Sequence, residues 1–335
     1  MDAGRASNAP ELATIAGMVW AYRFDPNGTA TALTEREVPS ALAAADDWVW
    51  LHFGLADARC RDWLAHHAPV SELAHNVLVG RDEHLQLDQF GGEILGILPD
   101  LHRELGHAGQ TIARLRFVMT ERLLLSSRRT PLHSVEVTHR AIEAGQRFMS
   151  PVALIDAIVD QFADAVSALA QTFGERLDEV EARVLEEEIE HDGTGLGRIR
   201  LESVRVRREL GHLRTLFHRL EARLGSHSTT IAGVVRALVL KLDSIEHEMT
   251  AVYERARLLQ DEVGAKMATV TNRRLFTLSV LTACLLPPTL VTGFFGMNTK
   301  DLPFQQTDGG TWFALLVAFA AGAATFWVLR RLRAL

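Results

Sequence analysis

From residue 231 onward, apolar side chains recur every three or four positions. The series runs Ile231, Val234, Val235, Leu238, Leu242, Ile245, Met249, Val252 and Ala256, and continues in register through Leu259, Val263 and Met267. This spacing predicts one face of an α-helix. No proline falls between Ser228 and Leu286. A single helix of about 60–70 residues, roughly 100 Å long, is therefore expected. Its far end enters an uncharged run, residues 275–297, and a second such run covers residues 309–329. As a helix, either run spans the roughly 30 Å of a bilayer's hydrocarbon core. A buried core helix would satisfy the same count, but two charge-free runs of this length favour membrane spans. Trp312 and Trp327 lie near the ends of the second run, where interfacial aromatics belong.

Upstream, Ile155, Ile158, Phe162, Val166, Leu169, Phe173, Leu177, Val180 and Val184 form another apolar helical face. This helix ends in acidic residues and is followed by the glycine-rich stretch at 192–197, expected as a break. A basic segment follows, with Arg198, Arg200, Arg205, Arg207, Arg208, Arg214, Arg219 and Arg223. Residues 151–227 thus predict a helical hairpin of complementary charge. Glu187, Glu188, Glu190 and His191 at its tip could be read as metal ligands, but a solvated charged tip explains them as well.

Before residue 151 the pattern changes to period two. Residues 18–24, 48–55, 84–101, 113–120 and 122–128 read as strands, and residues near 57–66, 71–78 and 132–143 as helices. The expected architecture is an α/β domain over 1–150, a stalk helix over 228–274, and two C-terminal transmembrane helices joined by a loop at 298–308.

Composition narrows the function. The net charge of −7 argues against nucleic-acid partners. Cys60 and Cys284 form neither a disulfide framework nor a zinc knuckle. The first residues lack the apolar core of a secretory signal, so the N-terminal domain is expected in the cytosol. Residues 1–150 show no glycine-rich phosphate loop, and Asp57, Asp62 and Ser71 make no nucleophile triad. His52, His66, His67, His75 and His84 have no ligand spacing. No enzyme is expected. Arg273 and Arg274 precede the first span, and Arg330, Arg331 and Arg333 follow the second. The positive-inside rule then puts both termini in the cytosol and the loop outside.

One stripe near the membrane is polar or small: Asp261, Gly264, Ala268, Asn272, Leu275, Leu278, Thr282, Leu286 and Thr289 share a helical face. Such a face can line a water-filled path, or it can hydrogen-bond between helices. Two helices cannot enclose a polar path alone, so transport would require several copies around an axis. A plain membrane anchor would not.

The first span closes with LPPTLVTGFFGMN, residues 286–298. A Gly-Met-Asn tripeptide there, after a long stalk helix and before a short loop and second span, resembles the CorA family of divalent cation transporters. The resemblance covers the whole chain. It implies a homopentamer in the inner membrane, with no cofactor beyond the transported Zn²⁺ or Mg²⁺. Gly296, Met297 and Asn298 match the family's selectivity mouth, where Asn298 would hold the cation within its water shell. A hydrated site suits Mg²⁺, which dehydrates reluctantly. Asn272 and Thr289 match polar pore rings; Leu275, Leu278 and Leu286 match the hydrophobic constriction. Asp261 matches a cytosolic position where family members bind regulatory metal. The loop after the tripeptide is nearly neutral and carries Lys300 beside the mouth. Magnesium-transporting members tend to have an acidic loop here, so this one looks more like the zinc-transporting, ZntB-like branch. A CorA-type channel for Mg²⁺, Co²⁺ or Ni²⁺ is the alternative.

Overall fold

The computed structural model describes residues 15, 17–44, 46–102, 111–186, 193–224, 229–297 and 309–331. The chain divides into two compact units, the first running to Leu259 and the second beginning at Gln260. The first starts with β1 (Met18–Phe24), β2 (Ala30–Ala32), α1 (Val38–Ala43), β3 (Trp48–Gly54), α2 (Arg59–His67) and α3 (Glu72–Val79). Then come β4 (Gln86–Phe90), β5 (Glu93–His102), β6 (Thr111–Met119), β7 (Leu123–Arg128), α4 (His133–Glu143), α5 (Pro151–Leu185) and α6 (Gly193–Leu224). The strands form one seven-stranded sheet in the order β2-β1-β3-β7-β6-β5-β4. The β3–β7 pairing is parallel and every other pairing is antiparallel.

The period-two pattern sorts side chains onto the two faces of this sheet. On one face β1 sets Trp20, Tyr22 and Phe24 opposite His52, Trp50 and Trp48 of β3. Phe24 stacks on Trp48 at 3.9 Å between ring centroids, and Trp20 stacks on both His52 and His139 of α4. Two of these rings also use their polar ends. Trp50 Nε1 donates to Ser126 Oγ at 2.8 Å, and Trp48 Nε1 donates to the Phe148 carbonyl at 3.1 Å. On the other face Ala21, Val49, Leu51 and Phe53 pack with Cys60 and Leu64 of α2 and Ala74, Val77 and Leu78 of α3. The sheet is thus a middle layer with helices on both sides.

Helix α4 borrows its cap. Its first residues follow Leu132, whose side chain cannot cap. The Asp100 carboxylate from β5 instead accepts from Ser134 N at 3.0 Å, Ser134 Oγ at 2.6 Å and Val135 N at 3.4 Å. Burial nonetheless pushes the Asp100 carboxyl above its ordinary value.

The stretch expected as one strand over 84–101 folds as two, β4 and β5. They pair across Gly91-Gly92 with Phe90 opposite Glu93. Gly91 has φ +59°, the left-handed conformation that a two-residue hairpin turn requires. The short β2 and α1 were not expected. Residues 193–197, expected as part of a break, form the start of α6. Glu187, Glu188, Glu190 and His191 lie outside the described residues.

Helix α7 runs from Thr229 to Phe295, 67 residues. Within the first unit it buries Val235, Leu238, Leu242, Ile245, Met249, Ala256 and Leu259. Ion pairs tie it to its neighbours. Arg214 of α6 reaches Asp243 at 2.7 Å and Glu246 at 3.4 Å; Lys241 pairs with Asp160 and Asp164 of α5; Arg255 pairs with Asp178 and Glu181. In the second unit the apolar register stops being covered: Val263 is buried, but Met267, expected to continue it, is half exposed. Helix α8 (Gly310–Arg331) completes this unit. Among the described residues, α7 and α8 are the helices long and apolar enough to cross a membrane.

Candidate functional site

The membrane-crossing part of α7 has two distinct sides. Val280, Ala283, Cys284, Pro287, Pro288, Val291 and Phe295 are partly covered, and they recur at helical spacing. On the rest of the helix Leu275, Leu278, Leu285, Leu286 and Leu290 are each more than half exposed. On α8 the partly covered or buried positions include Ala314, Ala318, Ala321, Gly322 and Thr325, again one side. Gly322 meets α7 directly: a Cβ placed there would stand 3.1 Å from Pro288 Cγ and 3.3 Å from the Cys284 carbonyl oxygen. Small residues permit this close approach of helices.

The uncovered side of α7 holds a groove of about 720 Å³, lined by Thr282, Leu285, Leu286, Thr289, Leu290, Gly293, Phe294 and Met297. Both threonine hydroxyls are oriented by the helix. Thr282 Oγ1 donates to the Leu278 carbonyl at 2.8 Å, and Thr289 Oγ1 donates to the Leu285 carbonyl at 2.7 Å. With each proton committed, what remains for a bound species is an oxygen lone pair. Seven residues separate the two, which is two helical turns or about 10 Å along the axis. The groove therefore offers two spaced neutral acceptors on an otherwise apolar wall. That suits a cation that keeps its water, and it cannot strip one.

Thr282, Leu286, Thr289 and Met297, all expected from sequence, come together in this groove. Asn272, Leu275 and Leu278 are exposed on α7 but are not part of its lining. Asp261 is exposed further back on the same helix. Gly296 ends the helix, its N–H donating to the Thr292 carbonyl at 2.9 Å, and Met297 N donates to the Phe294 carbonyl at 3.3 Å. Asn298, the loop at 299–308 and Arg333 lie outside the described residues. Leu285, Leu290, Gly293 and Phe294 were not anticipated. Carrying the three- and four-residue steps past Thr289 would have reached Gly293 and Met297. Among the described residues no three His, Cys, Asp or Glu side chains gather as metal ligands.

Comparison with known proteins bears on the family and the fold. The family described as CorA-like Mg²⁺ transporter protein matches residues 45–331. The zinc transport protein ZntB of Yersinia enterocolitica is 24% identical over 92% of this chain and 94% of its own. The divalent cation transporter CmaX of Pseudomonas aeruginosa is 26% identical over 95% of this chain and 96% of its own. A solved structure of full-length CmaX superimposes with a TM-score of 0.77 at 25% identity, covering 95% of this chain and 98% of that one.

Proposed function

This chain belongs to the CorA-like family of divalent cation transporters, and we propose that it carries zinc across the inner membrane through a pentameric pore whose outer mouth is Gly296-Met297-Asn298. The observation that carries the pore reading is the uncovered side of α7. A membrane helix with two oriented threonine acceptors among a row of exposed leucines suits a path lined by several copies of itself, because lipid cannot satisfy a polar path and protein must enclose it. In such a ring Asn272, Leu275, Leu278, Thr282, Leu286 and Thr289 face the axis. Thr282 and Thr289 become rings of oxygens, and Leu286 becomes an apolar collar between them. Asn298 supplies an amide ring at the mouth, and Asp261 offers a regulatory metal position at the cytosolic end. Both termini then lie in the cytosol, as the flanking arginines require.

Zinc is favoured by the likeness to ZntB over most of both chains and by the nearly neutral loop with Lys300. Magnesium is the second reading, favoured by the matching family's description. Cation flux into proteoliposomes separates them. Purified protein should pass Zn²⁺ faster than Mg²⁺, and Asn298→Ala should abolish the flux. Magnesium flux faster than zinc flux would reassign the cargo. Undiminished flux in Asn298→Ala would remove the mouth from the account.

A further inference from the structure

Pro287 and Pro288 stand inside α7, between Leu286 and Thr289 of the groove. Proline has no N–H, so these two residues leave the carbonyls of Ala283 and Cys284 without their usual partners four residues on. An unpaired carbonyl is expensive in hydrocarbon, and membrane helices with proline re-satisfy it from neighbours. The Cys284 carbonyl has such a neighbour in Gly322 of α8, whose missing Cβ would lie 3.3 Å from that oxygen and 3.1 Å from Pro288 Cγ. Cα–H groups are weak donors to carbonyls at such close helix crossings. One turn earlier on α8, Ala318 is 5% exposed, so the crossing is packed as well as close. The contact backs the turn of α7 whose opposite side presents Leu286 and Thr289.

We propose that Gly322 is a positioning residue for transport: by seating against Pro288 and the Cys284 carbonyl it fixes where the proline-weakened turn of α7 holds Leu286 and Thr289. This rests on the reading that the groove side of α7 lines the path. A methyl at 322 would meet Pro288 Cγ first, at 3.1 Å, with the Cys284 oxygen behind it at 3.3 Å, so the packed proline ring, and the turn of α7 that carries it, must give by a few tenths of an ångström.

The test measures divalent cation flux in proteoliposomes for the wild type, Gly322→Ala, Pro288→Ala and the double variant, at several cation concentrations. Gly322→Ala should lower the maximal rate several-fold without moving the half-saturating concentration. Pro288→Ala returns an N–H to the Cys284 carbonyl and removes Cγ, so the double variant should recover the rate of Pro288→Ala alone. Wild-type rates in Gly322→Ala would overturn the proposal. So would a shift in half-saturation alone, loss of assembled protein on gel filtration, or a double variant no better than Gly322→Ala. Absence of flux in the wild type would sink the transport reading itself, a result none of these variants can mimic.

Discussion

The sheet unit and the membrane-crossing helices spend their apolar residues in opposite ways. In the sheet, Trp50, Leu51 and Phe53 are fully buried by strands and helices of the same chain. In the crossing part of α7, Leu278 is 60% exposed, Leu286 61% and Leu290 71%. In the first region these hydrophobic positions stabilise the chain's own fold. The second leaves a side uncovered, and its leucines await lipid or other copies. Side chains of the same chemistry therefore report stability in one region and function in the other.

Three perturbations probe that contrast, in decreasing order of effect. Phe53→Ala should cost about 3–5 kcal/mol of the sheet unit's stability, the usual range for a buried phenylalanine. Leu290→Ala should leave that transition within about 0.5 kcal/mol of wild type, as substitutions away from a core do. Urea unfolding followed by tryptophan fluorescence reads this, since Trp20, Trp48, Trp50 and Trp63 all lie in the first unit. Equal effects from the two variants would erase the contrast.

A second perturbation uses pH. Burial, aided by the charge of Arg128 and by His139, holds the His52 imidazole well below its ordinary value. The unfolded chain therefore binds a proton at His52 below about pH 6.5 that the folded protein refuses, so stability falls with falling pH by up to about 1.4 kcal/mol per unit. His52→Gln should flatten the slope below pH 6.5 relative to wild type and leave it unchanged above pH 7.5. Parallel slopes would show that His52 is charged when folded. The third and smallest effect lies on the surface. Arg223 and Asp88, 3.0 Å apart and both more than half exposed, should be worth under about 1 kcal/mol and vanish in high salt. A larger, salt-resistant loss in Arg223→Ala would mean that surface pairs, and not the core, hold the first unit.

Most of this architecture was legible because strong periods leave little freedom. The alternation in MVWAYRF places three aromatics on one face, and β1 covers residues 18–24 as read. The proline-free register of the stalk predicted one very long helix, and α7 continues through Pro287-Pro288 to Phe295. What was missed had weak local signals. Three-residue β2 and six-residue α1 are too short for a period to show. The single strand expected over 84–101 overlooked Gly91-Gly92, a hairpin turn between two runs that both read as strand. In the groove, Thr282 and Thr289 were expected because threonine is conspicuous on an apolar helix, and Leu286 because it lies in register between them. Leu285, Leu290 and Phe294 were not, because nothing in their chemistry distinguishes a groove wall from a lipid-facing side. Asp100 capping α4 from another strand could not be read from spacing at all, since 34 residues separate it from Ser134.

The central claim is that the uncovered side of α7, and not that of α8, faces the conducted cation. It is tested by placing single cysteines at Thr289 and at Phe319, which is 80% exposed on α8, in a chain with Cys60 and Cys284 replaced by serine. Divalent cation flux in proteoliposomes is then measured before and after a charged, water-soluble thiol reagent. The reagent should stop flux through Thr289→Cys and leave Phe319→Cys untouched. Block at Phe319→Cys with none at Thr289→Cys would put the path on the other helix and contradict the account.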